Sequence, residues 1–279
     1  MEECGEQRVI SNPVYDINTR TTVPGSIQCT TAMFPGIPFS AAVERIAAKI
    51  AERPELAMDW IQLCPQSYGV VDEGLITDLK RHYPRTKFQL HSNVRLECGK
   101  TPMHGSSHGE WVNEYLETFE RLTLLSGCGI YSLHSGYADE MTLNDMFENV
   151  REWNRQYNII IAVEGLYPER RRQALISTWT EYEQLLHADI PYAIDLSHLH
   201  IVATTERKRP LQLVRDLLRS QHCREIHLSA NNGRVDAHQP WSESNSEWWW
   251  EVLDSRHDQC VVFCEENLQT RRNHLGRHI

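Results

Sequence analysis

The chain lacks any apolar run approaching the roughly 20 residues that a membrane-spanning helix needs. Its opening Met-Glu-Glu-Cys-Gly-Glu-Gln also lacks the basic and apolar regions of a secretory signal. Both absences lead to the expectation of a cytoplasmic protein that meets no membrane. Paired cysteines are lacking too: the eight cysteines stand at 4, 29, 64, 98, 128, 223, 260 and 264, with no CxxC among them. Thiols dispersed through apolar runs argue against a zinc knuckle and read as reduced core residues. Basic residues are outnumbered, with 28 Lys and Arg against 38 Asp and Glu and a formal charge of −10, so no global field draws in nucleic acid. No glycine-rich phosphate turn follows the first apolar segment, where Cys29-Thr-Thr-Ala-Met33 stands instead, and this removes the usual signature of a doubly wound nucleotide-binding sheet.

What is present is an alternation. Eight short β-prone segments recur: Ser26–Cys29, Trp60–Cys64, Phe88–His91, Ile130–His134, Ile159–Glu164, Tyr192–Asp195, Glu225–Leu228 and Val261–Glu265. Near-continuous apolar runs of this kind suit parallel strands buried on both faces. Between them, 39–52, 73–82, 108–126, 141–157, 172–187, 210–221 and 246–255 carry the i, i+3, i+4 apolar spacing of amphipathic helices. Eight such units predict an α/β fold, a single (β/α)8 TIM barrel over 25–279, with a short irregular N-terminal arm over 1–24. The length of 279 residues accommodates one barrel, which takes roughly 250.

Active sites of such barrels are built at the C-terminal ends of the strands, and ligand-type residues stand there on six successive strands. They are His91, His134, Glu164, Asp195 with His198, His227 with Asp236 and His238, and Glu265. A lone histidine at a strand end is commonly a hydrogen-bonded core residue; six strands in a row are not explained that way. Ionised carboxylates at an apolar mouth are costly unless paired or bound to metal. Imidazole nitrogens with carboxylate oxygens suit iron(II), zinc or manganese. Four to six donors fill one coordination sphere, so nine predict two or three divalent ions, with Glu164, the middle member, as the bridging carboxylate. In Asp195-Leu-Ser-His198 and Asp236-Ala-His238, irregular backbone past the strand ends is expected to turn carboxylate and imidazole toward one ion.

These motifs resemble those of the xylose-isomerase-like barrels, and most closely the branch containing endonuclease IV, from about residue 25 to 267. His91 with Val94 and Leu96 resembles the segment of that enzyme's first metal histidine. Leu133-His-Ser-Gly136 resembles its His-Pro-Gly turn, and Ile161-Ala-Val-Glu164 its bridging-glutamate strand. Ile194-Asp-Leu-Ser-His198 is similar to its Asp-x-x-His, Ile226-His-Leu-Ser229 to its His-Leu-Asn, Gly233-Arg-Val-Asp-Ala-His238 to its Asp-Arg-His segment, and Glu265 to its final glutamate. The resemblance thus implies all nine positions as metal ligands. Cys64-Pro-Gln-Ser-Tyr-Gly69 lacks the arginine of that enzyme's DNA-facing loop, and Asp236-Ala-His238 lacks another. A second resemblance is to the multinuclear non-heme iron-dependent oxidative enzymes that modify peptide cysteines. It is carried by Glu225-Ile-His-Leu228 and Asp236-Ala-His-Gln-Pro240, whereas their Asp-x-Asn-Asn strand end is Asp195-Leu-Ser-His198 here. A third, to sugar isomerases and epimerases with one metal, would use Glu164, Asp195, His227 and Glu265 and leave five donors unexplained.

Three activities are therefore in view. The first is iron-dependent oxidation of a small polar molecule or peptide. The second is zinc-dependent hydrolysis of abasic DNA, and the third is single-metal isomerisation with Glu164 or Glu265 moving a proton. Donor count favours the first two, and the missing arginines favour oxidation, with nucleic acid an improbable partner. Arg170-Arg-Arg172 can either grip an anion or be a solvated helix start. Trp248-Trp-Trp250 is expected to pack mostly inward, Asn231-Asn-Gly233 to form a turn, and His104 and His108 to lie at the surface. His274 and His278 read as tail.

Overall fold

The computed structural model describes residues 27–98, 103–241 and 248–269. The expected arm over 1–24, Ser26, 246–247, His274 and His278 lie outside the described residues. Eight strands form a closed barrel in sequence order. They are β1 (Ile27–Thr30), β2 (Leu56–Leu63), β3 (Lys87–Leu90), β4 (Ile130–His134), β5 (Ile160–Glu164), β6 (Tyr192–Asp195), β7 (Cys223–Leu228) and β8 (Val261–Cys264). Every neighbouring pair is parallel, and β8 closes onto β1.

The helices are α1 (Phe39–Lys49), α2 (Glu73–His82), α3 (Trp111–Leu125), α4 (Leu143–Gln156), α5 (Trp179–Leu186), α6 (Leu196–Glu206), α7 (Leu211–Arg219) and α8 (Trp250–Leu253). Several begin at side-chain caps that satisfy otherwise unpaired amides. Asp72 accepts from Leu75 N at 2.8 Å, and Thr178 forms a capping box with Glu181. The expected helix over 172–187 starts seven residues late. Its first part is instead held in a loop by an Ala174–Tyr137 bridge and by Ile176 at φ 51°. The helix α6 was not expected at all. Its residues Leu196, Ser197, His198, Leu199, Ile201, Val202 and Ala203 are buried, so it shows no polar stripe from which a helical period can be read. Trp248 and Trp249 are buried, in keeping with inward packing.

Side chains alternate across each strand, and the register sorts them into two environments. Outward residues such as Leu63, Leu90 and Tyr131 pack under the helices, with Tyr131 stacked on Phe119 of α3. Two residues before His91, His134, Glu164, Asp195 and His227, on the same inward face, stand Gln89, Ser132, Ala162, Ala193 and Glu225, all buried. The inner floor beneath the ligand positions is thus small and polar rather than aliphatic. Of the seven described cysteines, all but Cys98 are buried.

Candidate metal centre

The barrel brings all nine sequence-predicted residues to one place, the C-terminal mouth. Glu164, at the end of β5, is 1% exposed and occupies the middle. Its Oε2 lies 3.4 Å from His91 Nε2 and 3.7 Å from His134 Nε2, while its Oε1 lies 3.5 Å from His227 Nδ1. The two oxygens of one carboxylate therefore face different histidine sets. Glu265 spans a second pair: Oε1 is 3.6 Å from His91 Nε2 and 3.8 Å from His227 Nδ1, and Oε2 is 3.6 Å from His238 Nδ1. His198 Nε2 lies 3.4 Å from Asp195 Oδ2 and 3.5 Å from Asp236 Oδ2, and His238 Nε2 is 3.1 Å from the same Asp236 oxygen.

The Asp195–His198 arrangement differs from the expected irregular backbone. Asp195 caps α6, its Oδ1 accepting from Ser197 N at 2.6 Å and His198 N at 3.3 Å. That leaves Oδ2 free to face His198 across one helical turn. Asp236 and His238 do stand on irregular loop, with His238 in the left-handed region at φ 45°. Paired hydrogen bonds of 2.8 Å between Ala230 and Gln239 hold that loop.

Most of these separations are too long for hydrogen bonds yet too short for an empty cavity. Donors bound at about 2.1 Å around one ion sit about 3.0 Å apart at octahedral angles and about 3.4 Å apart at tetrahedral ones. The observed spacings cluster near that range. Glu164 Oε2, His227 Nδ1 and His238 Nδ1 are buried without a hydrogen-bond partner, which is costly unless an ion completes them. Four overlapping triplets of donors can each hold an ion: His91, His134 and Glu164; His91, His227 and Glu265; Glu164, Asp195 and His227; and Asp195, His198 and Asp236. The residues present thus fit a divalent metal held by histidines and carboxylates.

Outer partners orient the imidazoles. His91 Nδ1 pairs with Ser92 O and His198 Nδ1 with Gly165 O, both at 2.9 Å, turning each Nε2 inward. Gly165 must be glycine, because a Cβ there would lie 2.4 Å from the Tyr182 ring. Asn93 contacts His134 Nδ1 at 3.2 Å, and Gln66 contacts His238 Nε2 at 3.3 Å.

Electrostatics follow from burial and crowding. Burial opposes charge on His198 and His227, but Asp195 and Asp236 around the first, and Glu265 and Glu164 around the second, hold both well above the usual imidazole value. Glu164 is held well below the carboxylate range, because His227, His91 and His134 outweigh its own desolvation. Asp195 is pushed up to about 6 by burial and by Asp236, Glu265 and Glu164, against the pull of His198. Burial takes His134 down to about 4. His238 is raised to about 9, its desolvation outweighed by Asp236 and Glu265. Protons on imidazoles thus balance carboxylates that a cation can neutralise instead.

The cavity above the cluster, about 230 Å³, is lined further by Gln66, Asn93, Tyr137, Tyr167 and Glu169, and no lysine or arginine lines it among the described residues. Tyr167 leans over the His198 ring at 4.8 Å, and burial beside Asp236 and Glu169 pushes its phenol up to about 12. Arg172 stacks on Tyr137 at 3.9 Å and pairs with Asp139 and Glu140. It buttresses the rim rather than reaching the cavity, and Arg170 and Arg171 are exposed. His104 joins the same rim network through Ser106 and Glu140, and His108 is exposed. Asn231 shapes its turn, donating to Ser197 O at 2.8 Å and accepting from Gly233 N at 2.7 Å. The sequence reading missed Gln62, Gln66, Asn93 and Glu225. Of these, Glu225 alone left a trace, standing two residues before a ligand histidine on a strand.

The barrel superposes on a D-tagatose 3-epimerase-like protein at a TM-score of 0.58 and 17% identity, covering 87% of this chain and 91% of that one. It superposes on an AP endonuclease, family 2, from Brucella melitensis at 0.59 and 13% identity, with coverage of 87% and 93%. The IOLI protein, with a bound zinc atom, follows at 0.57 and 10% identity, with coverage of 86% and 88%. These likenesses show a shared TIM-barrel fold. No family model matches the sequence, and no curated protein matches it by sequence. No described helix is long and apolar enough to cross a membrane.

Proposed function

We propose that this chain is an enzyme running on two or three divalent ions held by His91, His134, Glu164, Asp195, His198, His227, Asp236, His238 and Glu265. The observation that carries this is Glu164, whose two oxygens face two different sets of histidines at 3.4 to 3.7 Å. The reading also draws on superposition with a zinc-holding barrel, a D-tagatose 3-epimerase-like protein and an AP endonuclease.

The finer reading is iron-dependent oxidative modification of a small polar molecule or a peptide. A single-metal isomerase would leave five of the nine donors idle, and among the described residues a polyanion such as DNA finds no lysine or arginine in the lining. Ions bound here supply Lewis-acid chemistry and, where iron is the metal, one-electron redox chemistry. The chain's own groups set the rest. Glu164 and Glu265, each facing more than one histidine, would hold ions through both carboxylate oxygens. Tyr167, kept protonated, donates a hydrogen bond to a ligand in the cavity. Asn93 and Gln66 hold the two imidazoles nearest the mouth.

Zinc-dependent phosphodiester hydrolysis is the second reading, favoured by the grouping of donors into triplets and by the endonuclease-like fold. The test sets an oxygen-uptake screen of iron-loaded protein, with small thiols, alcohols and peptides, beside an abasic-duplex cleavage assay of zinc-loaded protein. Oxygen uptake dependent on one substrate class and lost in His91→Ala is expected. Efficient, salt-sensitive abasic cleavage lost in the same variant would replace oxidation with hydrolysis.

A further inference from the structure

Below the ligand layer lies a buried carboxylate that the proposed chemistry does not use. Glu225 and His227 sit two apart on β7 and so share the inward face of the barrel. Glu225 is 0% exposed. Its Oε2 accepts from Gln62 Nε2 of β2 at 3.0 Å and meets His227 Nε2 at 3.2 Å, while Oε1 has no hydrogen-bond partner. Among the described residues, His227 is the one basic group within ion-pair distance of it. A buried carboxylate with so little compensation is expensive, and a glutamine would make the same contacts at lower cost.

What a glutamine cannot do is accept only. An ionised carboxylate has no proton to donate, so the nitrogen facing it must carry the hydrogen. We propose that Glu225, aimed by Gln62, is a positioning residue that holds the proton of His227 on Nε2, presents the Nδ1 lone pair to the centre, and thereby sets the affinity of the ion shared with Glu164 and Asp195. The inference rests on the metal-centre reading above. It accounts for a difference between His227 and its neighbours. His91 and His198 are oriented through Nδ1 by backbone carbonyls, whereas His227 turns Nδ1 toward Glu164 at 3.5 Å. Among the described residues no backbone carbonyl pairs with its Nε2; Glu225 Oε2 faces it at 3.2 Å as the nearest acceptor, with Gln62 Nε2 beside it at 3.4 Å.

The experiment compares wild type, Glu225→Gln and Gln62→Leu, each stripped of metal and dialysed against buffered zinc. Bound zinc per chain and melting temperature are measured with and without the metal. Wild type is expected to bind two or three ions. Glu225→Gln is expected to lose one of them at zinc levels that saturate wild type, through a drop in affinity of roughly 10- to 100-fold. Its metal-free melting temperature is not expected to rise, because the change also removes the carboxylate partner of His227. Gln62→Leu should weaken the same ion less, and it carries the test if Glu225→Gln does not fold. Equal zinc content and affinity in all folded variants, with only a lower metal-free melting temperature, would show a structural role and overturn the proposal. Wild type that takes up no zinc at all would instead overturn the metal-centre reading, and this proposal with it.

Discussion

The nine donors divide into two regions that are held very differently. His91, His134, Glu164, Asp195, His227 and Glu265 leave the ends of strands, and apart from His134 they are at most 5% exposed. Asp236 and His238 hang on the loop after β7, with side chains 14% and 20% exposed. The strand-borne set is positioned by barrel closure itself, so its geometry exists before any ion arrives. The loop-borne pair depends on a few local restraints: the Ala230–Gln239 hydrogen bonds, Asn267 N donating to His238 O at 2.7 Å, and the Gln66 contact. His198, on α6, stands between the two regions. The lesson is that one centre combines a rigid floor with an adjustable side, and ion affinity should differ accordingly.

The largest expected effect strikes the rigid region. Glu164→Gln should lower occupancy at two positions together, because Oε1 and Oε2 face different histidines, and should abolish substrate turnover. Elemental analysis showing loss of one ion only would end the bridging assignment. Next, His238→Ala should empty only the ion shared with His198 and Asp236, leaving the strand-borne ions in place. Loss of every ion from this variant would mean that the loop, not the barrel, organises the centre.

A pH series sharpens the contrast further. In metal-free protein, His238 is raised to about 9, and a histidine raised on folding contributes stability below its unfolded value of about 6.5 that is lost as pH climbs through the folded one. His198 and His227 shift in the same direction. The melting temperature of stripped protein should therefore fall between about pH 6.5 and 9. Metal-loaded protein should hold or gain stability over that window, since ions take the places of the protons. Parallel curves would argue that no ion replaces them.

The smallest effect is expected at the rim. Arg172→Ala removes surface ion pairs to Asp139 and Glu140 and the stacking on Tyr137. Metal content should stay unchanged and melting temperature should drop only slightly. A strong loss of metal would show that the rim, too, organises the donors.

Much of this was legible in the chain. Eight apolar segments, the last six with ligand-type residues at their ends, predicted both the barrel and the meeting of His91, His134, Glu164, Asp195, His227 and Glu265, because a parallel strand carries its own period and its C-terminal end marks the mouth. The helix α2 emerges over the expected span, since its apolar period and the Asp72 cap are local signals. By contrast, α6 was invisible: a helix buried all round has no amphipathic stripe, and its cap, Asp195, read as a metal ligand alone. Arg170-Arg-Arg172 left two readings open, and only the fold shows Arg172 committed to its neighbours.

By itself, then, the sequence determined the alternation of elements, the closed barrel and the kind of atoms at its mouth, all of which follow from periods of two and 3.6 residues and from the chemistry of single side chains. Tertiary structure decided how those atoms are shared. Gln62 and Glu225 stand 163 residues apart yet meet at 3.0 Å, and which oxygen of Glu164 faces which imidazole depends on strand register and side-chain rotation across β3, β4 and β7. Such pairings are long-range. They arise only when closure of β8 onto β1 fixes every inward face at once, and no local pattern in the chain encodes them.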